Sequence, residues 1–545
     1  MDVLRELLAA RVSAGMPHAV VLTGDDAPTA DLLTALAEAT VDLVPADAGP
    51  DALHLAVAAR APLDLLVDTA GQGALERLAQ LLGHVRAGGG YLCVLTDDAM
   101  AGEVAGWQRR LARLREELTS GATELPPRKA KRRRDLATLA LTMRPRVMGR
   151  LLVAVPELDL LAKVHDADMD DLLRARGGPD RVVTAVAGAS WSSRARVRTS
   201  RPSPLNELPT SYDAPPLSLR EYHHAVCRPR QAAHTATFVT PESFRDNLQP
   251  RLQNPAFEDW TARFVRRPPV PDTLLPGSWF HLDTHVAGHF GHAVTEQLAH
   301  VWGWQEAKRR DPSLRALVFG PPSAPPGAPL PAWNAELLAG AGIDPDDVHV
   351  ADAPVRVERL LAATAAYNIG RYVHPVMAQT WGAVGARLGG PRLDGVGSAP
   401  ERVFLTRTGE KRRCRNRGEV EALFEASGFV VVSPEELPLA EQVRLVRGAS
   451  VVAGFAGSAM FHTAFAARPQ HVVVVTTETY PAHNEYAMAA LLGHRLELVV
   501  CPPDVPRREP GRFTLESFHS DFVVDLAGAE GDFLTSVLAD LESTR

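Results

Sequence analysis

A histidine-rich segment between residues 281 and 300 carries residue types that suit acid–base chemistry. Five of the chain's 19 histidines fall here, at positions 281, 285, 289, 292 and 300. His292 and Glu296 are four residues apart, which on a helix places them on one face. A carboxylate that accepts a hydrogen bond from an imidazole orients the ring and raises its basicity. The spacing therefore predicts that His292 is a general base oriented by Glu296.

Two other interpretations of this segment remain open. A metal site would use the same histidines, but no cysteine or second carboxylate joins them at helical spacing, and the HExxH motif is absent. A histidine at the start of a helix can also bond simply to its own turn. We predict that the chain binds no metal here.

A cluster of arginines follows a strand-like stretch near residue 405. Residues 403–406 read VFLT, and Arg407 follows them directly within the segment RTGEKRRCRNR. Ligands of open α/β sheets bind beyond the carboxyl ends of the strands, and a guanidinium group binds phosphate oxygens bidentately. Arg407 and Arg413 are therefore candidate ligands for a phosphate or diphosphate. The alternative is a solvated basic loop.

Two more motifs follow the next strand-like stretches. Residues 450–460 read SVVAGFAGSAM, a buried strand, a turn of small residues and a helix start, in which Gly454 and Gly457 permit close approach of a ligand. The helix start attracts an anion, and Ser458 can cap it. In PEELPLAEQ, Glu435 and Gln442 are candidate contacts to a sugar or ribose hydroxyl, although helix capping and surface charge are the favoured explanation of this segment.

The elements that must position these residues alternate regularly along the chain. We predict strands at 403–406, 429–433, 450–453 and 471–476, with helices at 418–427, 439–448 and 459–467. Short connections between such elements indicate a doubly wound α/β domain. Strand-like runs at 19–23, 64–68 and 91–95, separated by helical patterns, predict a second parallel sheet near the N-terminus.

Composition limits the classes of protein that this chain can belong to. A length of 545 residues predicts about three or four domains. Hydrophobic residues make up 46 % and charged residues 23 %, which excludes a largely disordered chain. The net charge of −7 argues against a nucleic-acid partner. Four scattered cysteines favour neither a disulfide framework nor a zinc ribbon.

The sequence also predicts where the protein is located. Its first residues lack the apolar core of a signal peptide, and no run of 18 apolar residues occurs, so we expect a cytoplasmic protein. Residues 126–150 begin PPRKAKRRR and are predicted to be a basic linker. Within it, residues 128–134 could contact an anionic membrane surface.

Two segments resemble glycosyltransferase family 61. They are FLTRTGEKRRCRNRGEVEALFEASGFVVVSPEELPLAEQVRLVRGASVVAGFAGSAMFHTAFA and GHFGHAVTEQLAHVW, and the resemblance extends over about 230–510. It implies a GT-B fold of two Rossmann-like lobes, an acceptor lobe over 221–390 and a donor lobe over 391–545. It also implies an inverting, metal-independent transfer of a sugar from a nucleotide-sugar, usually a UDP-sugar, with no required cofactor.

The resemblance assigns roles to individual residues. Arg407 matches the family's donor-diphosphate arginine, while Gly457 and Ser458 match its donor-side turn. His292 and Glu296 match the histidine and acid of the N-terminal lobe. The implied partners are a nucleotide-sugar donor and a glycan or other acceptor, in a bacterial pathway for capsular or surface polysaccharide.

One position departs from the family pattern. Many members have histidine before the glycine of the donor-side turn, and this chain has Ala456. Loss of that contact leaves open a catalytically silent scaffold that binds a nucleotide-sugar or glycan during polysaccharide assembly.

The N-terminal region resembles a different family. The stretch LERLAQLLGHVRAGGGYLCVL resembles class I methyltransferases, but Thr23-Gly24-Asp25-Asp26 replaces the expected glycine-rich turn. We therefore predict a degenerate methyltransferase-like α/β domain over 1–125, and an active methyltransferase is the less favoured alternative. Residues 151–220 form a connecting region without a predicted topology.

Overall fold

The computed structural model describes residues 17–24, 32, 34, 36–37, 39–126, 130–201, 208–390, 400–507 and 514–543, without the side chains at 131 and 132. It is an α/β protein that divides into two compact units. The first unit contains the residues up to Val183 together with Arg220–Gly277 and Ala353–Leu360. The second contains Thr184–Leu219, Ser278–Asp352 and the residues from Leu361 onward.

The first unit begins with a six-stranded sheet that confirms the predicted N-terminal strands. Its strand order is Thr40–Pro45, His18–Thr23, Leu63–Asp68, Val85–Val94, Leu151–Pro156 and Met143–Met148. The first four strands are parallel, and the last two are added as an antiparallel hairpin. The associated helices are Pro50–Ala58, Ala74–Leu81, Leu82–His84 (a 3-10 turn), Asp98–Thr119 and Lys131–Thr142. Valine and leucine side chains of these elements form its core.

Residues 126–150 were predicted to be a basic linker, and the structure corrects this. They contain the helix Lys131–Thr142 and the strand Met143–Met148, and Leu139 and Met143 are buried in the core. The basic residues obscured an apolar pattern that begins at the end of the basic run. Arg134 is buried and donates to the carbonyl of Pro126 at 2.9 Å, so it belongs to no exposed basic surface. The rest of the predicted membrane contact at 128–134 falls largely outside the described residues.

The remaining elements of the first unit are short. They are the strands Leu160–Lys163, Val226–Arg228, Ala232–His234, Phe238–Val239 and Phe264–Arg266, the helix Asp166–Arg176 and the 3-10 turn Pro241–Ser243. The residues of four further strands are divided between the units, namely Arg181–Val186, Leu217–His223, Leu274–His281 and Val355–Ala363. The segment 151–220, which the sequence left without a topology, therefore contains regular structure.

The second unit contains a fully parallel six-stranded sheet. Its order is Arg196–Thr199, Arg495–Cys501, His471–Thr477, Val451–Phe455, Arg402–Leu405 and Val430–Val432. The helical elements are Arg417–Ala426, Pro434–Glu436 (3-10), Leu439–Gly448, Ser458–Phe465 (3-10), His483–Leu492, Leu515–Phe518 and Ala529–Ser543. The predicted elements between 403 and 476 are confirmed, with a 3-10 helix in place of the α-helix at 459–467. The edge strand Arg196–Thr199 is polar and short, and the sequence did not predict it.

The other elements of the second unit include the helices of the histidine-rich segment. The strands are Ala189–Ser192, Ser211–Ala214, Arg315–Phe319, Val348–Ala351, Tyr367–Asn368 and Tyr372–Val373. The helical elements are Phe290–His292, Ala293–Gln297 (π), Leu298–Gly303 (3-10), Trp304–Arg310, Ala332–Gly340, Pro345–Asp347 (3-10) and Val376–Gly389. Trp381 is fully buried and donates from Nε1 to the carbonyl of Val294 at 2.9 Å, which anchors the π-helix.

The predicted domain boundaries stay predictions. The boundary proposed between the acceptor lobe over 221–390 and the donor lobe over 391–545 falls inside the second unit. Every helix in the described ranges is too short or too polar to cross a lipid bilayer.

Candidate functional site

The parallel sheet of the second unit has one point at which the strand order reverses. The strand Arg402–Leu405 pairs with Val430–Val432 on one side and with Val451–Phe455 on the other. In open α/β sheets, ligands bind in the crevice beyond the carboxyl ends of the strands at such a point. Arg407 follows one of the two central strands and Gly457 follows the other. The fold therefore brings the two predicted donor segments to the same crevice.

Arg407 lies against the turn that follows the second of these strands. Its Nη1 donates a hydrogen bond to the carbonyl of Ala456 at 3.1 Å. Burial, together with the nearby positive charge of Arg412, lowers the pKa of Arg407 to about 10. The group remains protonated at neutral pH. An anion bound between the guanidinium groups of Arg407 and Arg412 would favour their charged forms and so oppose the lowering of the pKa of Arg407.

Arg412 is a site residue that sequence reasoning placed in the cluster without singling it out. Its backbone is left-handed, at φ 55°, and its amide donates to the carbonyl of His519 at 3.1 Å. Its guanidinium lies 4.4 Å from the ring centroid of Tyr480 and 5.0 Å from that of Phe518. Because these partners lie about 70 and 100 residues away in the sequence, the cluster alone did not identify it.

Five arginines, at positions 407, 412, 413, 415 and 417, line a cleft of about 460 Å³ beside this turn. Three of them form ion pairs, namely Arg413 with Asp521 (2.7 Å), Arg415 with Asp504 (2.9 Å) and Arg417 with Glu421 (3.4 Å). Within the described part of the chain, Arg407 and Arg412 form no ion pair. Two unneutralised guanidinium groups at the end of a cleft suit a diphosphate.

Gly457 adopts a backbone conformation that a side chain would disturb. Its φ is +139°, and a β-carbon at this position would stand 2.9 Å from Nη1 of Arg407. Its amide donates to Oε1 of Glu485 at 2.9 Å and is thus already engaged. The next two amides, of Ser458 and Ala459, begin the 3-10 helix and have no acceptor within it. The N-cap position is occupied by Gly457, which has no side chain, and Ser458 is the first residue of the helix rather than the cap that the sequence allowed.

Glu485 is a buried carboxyl group that the sequence analysis missed. Its Oε1 also accepts from the hydroxyl of Tyr480 at 3.3 Å, and burial raises its pKa to about 7. A signal was present, because residues 477–486 read TETYPAHNEY directly after the strand His471–Thr477. Polar residues at the carboxyl end of a buried strand are candidates for a site.

The pair His292 and Glu296 forms the hydrogen bond that its spacing predicted. Nδ1 of His292 lies 2.8 Å from Oε1 of Glu296. An ionised carboxylate only accepts hydrogen bonds, so in the neutral ring Nδ1 carries the proton and Nε2 keeps its lone pair. Nε2 makes no hydrogen bond within the described residues, and the side chain is 23 % exposed. The pKa of the neighbouring His289 is lowered to about 4 by desolvation of its ring and by the charge of His292, although the residue as a whole is exposed. This geometry suits a general base.

The short helix Phe290–His292 packs directly on the donor-side turn. A β-carbon on Gly291 would stand 2.7 Å from Oγ of Ser458. The ring of Phe290 stacks on that of His462, with centroids 4.6 Å apart and planes at 20°. The candidate base and the candidate diphosphate site are therefore neighbours within one compact unit.

The other predicted donor residues make internal contacts. Arg413 is 62 % exposed and paired with Asp521. Glu435 accepts from the hydroxyl of Thr408 at 2.8 Å, and Gln442 donates to the carbonyl of Leu437 at 2.7 Å, inside its own helix start. Gly454 lies within a strand, where a β-carbon would stand 2.5 Å from the carbonyl oxygen of Leu405. Their roles in donor binding stay predictions.

The first unit has a comparable crevice whose carboxylate is already used. Asp68 accepts hydrogen bonds from Nε of Arg77 (2.8 Å), the hydroxyl of Tyr91 (2.8 Å) and the amide of Ala70 (3.0 Å). The methyltransferase-like character of this unit stays a prediction. Throughout the described ranges, no three His, Cys, Asp or Glu side chains are grouped so that they could hold a metal ion.

Comparisons with known proteins bear on residues 290–474, which match the family Glycosyltransferase 61. The matched segment, which is about a third of the chain, includes both the His292–Glu296 pair and Arg407 and is similar to a glycosyltransferase domain. No curated protein matches the chain.

Among solved structures, the chain is similar to the MycE methyltransferase of the mycinamycin biosynthetic pathway, both with Mg and SAH and with Mg, SAH and mycinamycin VI. The identity is 14 % and the TM-score 0.19 in each case, over 28 % of this chain and 48 % of that chain. The chain thus spans about half the length of that enzyme, and a similarity this low carries no conclusion.

Proposed function

We propose that the chain is an inverting, metal-independent glycosyltransferase that transfers a sugar from a UDP-sugar to a hydroxyl of a glycan or other acceptor. One observation carries the proposal. The hydrogen-bonded pair of His292 and Glu296 is held against the turn at Gly457, beside two guanidinium groups that form no ion pair with any residue in the described ranges. A base and an anion site at this proximity suit a displacement that releases a diphosphate.

The proposed reaction begins at His292. Its Nε2 removes the proton of the acceptor hydroxyl, and the hydroxyl oxygen forms a bond to the anomeric carbon of the donor sugar. The bond between that carbon and the diphosphate oxygen breaks, and its electron pair stays on the diphosphate. Attack from the face opposite the leaving group inverts the anomeric configuration. Glu296 stabilises the imidazolium that forms.

Arg407 and Arg412 stabilise the leaving diphosphate together with the first amides of the 3-10 helix at Ser458. Charge that develops on the diphosphate oxygen meets donors that are already in place, which is the most effective form of electrostatic catalysis. In this proposal the guanidinium groups supply the positive charge, and no divalent cation is required. Glu435 and Gln442 lie on the donor side and contact the hydroxyls of the ribose or the sugar.

The cellular setting follows from the same family resemblance. We place the reaction in the bacterial cytoplasm, where it contributes to the assembly of a capsular or surface polysaccharide.

A ligand screen by thermal unfolding tests the proposal. UDP, GDP, CMP and S-adenosylmethionine are added to the full chain, each with magnesium and with EDTA. A ligand at 100 times its dissociation constant stabilises the folded state by about 2.7 kcal/mol. We expect UDP to raise the melting temperature equally with magnesium and with EDTA.

The other outcomes are equally informative. Stabilisation by UDP only with magnesium contradicts the metal-independent mechanism. If UDP binds but UDP-sugars are never hydrolysed or transferred, the catalytically silent scaffold is favoured. If no nucleotide changes the melting temperature, the donor site itself is wrong.

A further inference from the structure

The second unit contains another cavity, of about 460 Å³, whose inner wall consists of tyrosines. We call it the tyrosine cavity and define it by Tyr212, Tyr367, Tyr372 and Tyr486, all of which are buried. Its mouth is more polar and includes the exposed residues Thr210 and Arg371 and the half-buried His483. Its volume lies within the range of small-molecule sites, about 300–1,000 Å³.

Three of the four tyrosine hydroxyls are held by the protein itself. That of Tyr367 donates to Oδ1 of Asn484, and that of Tyr372 donates to the carbonyl of Ala365 at 2.9 Å. That of Tyr486 donates to the carbonyl of Pro209 at 2.6 Å.

The hydroxyl of Tyr212 makes no hydrogen bond within the described residues. Its ring is fixed by stacking on Trp191, with centroids 4.8 Å apart and planes at 21°. Its oxygen is not among the fully buried polar atoms, so it can be reached from the cavity and is the one to which a ligand would bond.

The walls of this cavity come from the same elements that build the candidate active site. At the start of the helix His483–Leu492, Glu485 bonds to the amide of Gly457, while its neighbours Asn484 and Tyr486 contact or line the cavity. The strand Tyr367–Asn368 packs on the π-helix that carries Glu296. Burial raises the pKa of Tyr367, and the charges of Tyr212, Glu485 and Glu296 contribute in the same direction. The cavity is thus lined in part by elements that also contact the turn at Gly457 and the helix that carries Glu296.

From these observations we propose that the tyrosine cavity binds a sugar ring of the acceptor. The proposal rests on the proposed glycosyltransferase function and names the side of the site that receives the acceptor. Flat aromatic walls bind the apolar C–H face of a pyranose, and the hydroxyl of Tyr212 pairs with a ring hydroxyl. Aromatic pockets also bind organic cations, but the guanidinium of Arg371 at the mouth disfavours a positively charged ligand.

The test uses the full chain and a panel of methyl glycosides as probes: the α and β anomers of glucose, galactose, xylose and N-acetylglucosamine. Saturation-transfer NMR detects binding of each glycoside, and calorimetry measures UDP affinity on the same samples. Thr210→Trp fills the mouth of the cavity from an exposed position, and Thr210→Ala is its matched control. Tyr212→Phe removes only the unpartnered hydroxyl and retains the ring stacked on Trp191.

We expect at least one glycoside to receive saturation at its ring protons in the unmodified chain. Thr210→Trp should abolish this signal, and Tyr212→Phe should weaken binding about 3- to 10-fold, the loss of one net hydrogen bond. UDP affinity and melting temperature should be unchanged in every variant.

Other results would overturn the inference. If no glycoside binds, or if Thr210→Trp binds as well as Thr210→Ala, the tyrosine cavity is not the acceptor site even when UDP binds normally. Absence of UDP binding contradicts the proposed function instead, and with it the assignment of any bound sugar as an acceptor.

Discussion

Gly291 approaches Ser458 so closely that a β-carbon at position 291 would stand 2.7 Å from the serine hydroxyl oxygen and 2.9 Å from the ring of Phe461. The next residue along the chain is His292. The separation between the proposed base and the turn at the proposed diphosphate site is therefore set by a residue that has no side chain. Close approach of the two segments is a property of the fold and can be tested by adding a single methyl group.

Gly291→Ala should push the two segments apart. Overpacking of this kind costs about 1–3 kcal/mol of unfolding free energy, and we expect a fall in turnover as well. Gly382→Ala is the matched control, because that helical glycine has open space around its Cα and should become more stable by about 0.5–1 kcal/mol. Chemical unfolding and initial rates measure both effects. Equal stability and turnover in Gly291→Ala would contradict the close contact.

His292→Ala should lower turnover by about 10²-fold or more, because general-base catalysis is lost, while UDP affinity stays unchanged. The matched control is His18→Ala in the first unit, which disrupts another histidine–carboxylate pair, with Asp42 at 2.8 Å. Steady-state rates measure the turnover of both variants, and calorimetry with UDP measures their affinity for UDP. Normal turnover in His292→Ala would remove this residue from the mechanism.

Arg407→Ala should weaken UDP binding about 10- to 100-fold, since hydrogen bonds to charged groups contribute about 1.5–3 kcal/mol. Arg413→Ala should have a smaller effect, because that guanidinium is exposed and already paired with Asp521. Calorimetric titration with UDP compares the variants at one ionic strength. The reverse order of effects would place the diphosphate at the outer end of the cleft.

Acid should destabilise the protein below about pH 6.5. Burial lowers the pKa of His462 to about 4 and that of His281 to about 3. In the unfolded chain these rings bind a proton near pH 6.5, whereas the native protein binds it only near pH 3–4. Between those values the unfolded state holds more protons, so the free energy of unfolding falls as the pH falls.

Glu485 contributes to the pH dependence of stability in the opposite direction. Its native pKa is about 7, against an ordinary value of 4.5, so its contribution to stability falls as the pH rises between these values. Among the described residues, six buried histidines have a lowered pKa, at positions 54, 84, 234, 281, 462 and 494. They outnumber Glu485 and the three other carboxyls whose pKa is raised, those of Asp135, Asp168 and Glu242, so we expect a lower urea midpoint at pH 5 than at pH 7.5. His462→Phe keeps the stacking on Phe290 and should reduce the difference. An unchanged difference would show that His462 does not contribute to it.

Sequence reasoning succeeded where the relationship was local. His292 and Glu296 pair because helical geometry alone brings residues four apart to one face. The strands and helices between 403 and 476 were recognisable because each buried strand is a short apolar run and each helix an amphipathic one. Each of these strand and helix patterns is contained within about ten consecutive residues.

Sequence reasoning failed where the environment of a residue comes from distant segments. The basic run at 128–134 indicated a linker, but the helix and strand after it are held by pairing with Leu151–Pro156 and by the core of the sheet. Arg412 was not distinguished from its neighbours because its aromatic partners are Tyr480 and Phe518.

Residue types and local spacing thus singled out a candidate base with its carboxylate, a cluster of arginines and a turn of small residues. They could not show that these three features share one site. Strand order decided that, because pairing of Arg402–Leu405 with Val451–Phe455 places Arg407 beside Gly457 although fifty residues separate them. The same holds for the tyrosine cavity, whose walls are contributed by three distant segments. Helical spacing is a property of neighbouring residues, whereas strand pairing and side-chain packing depend on the whole folded unit.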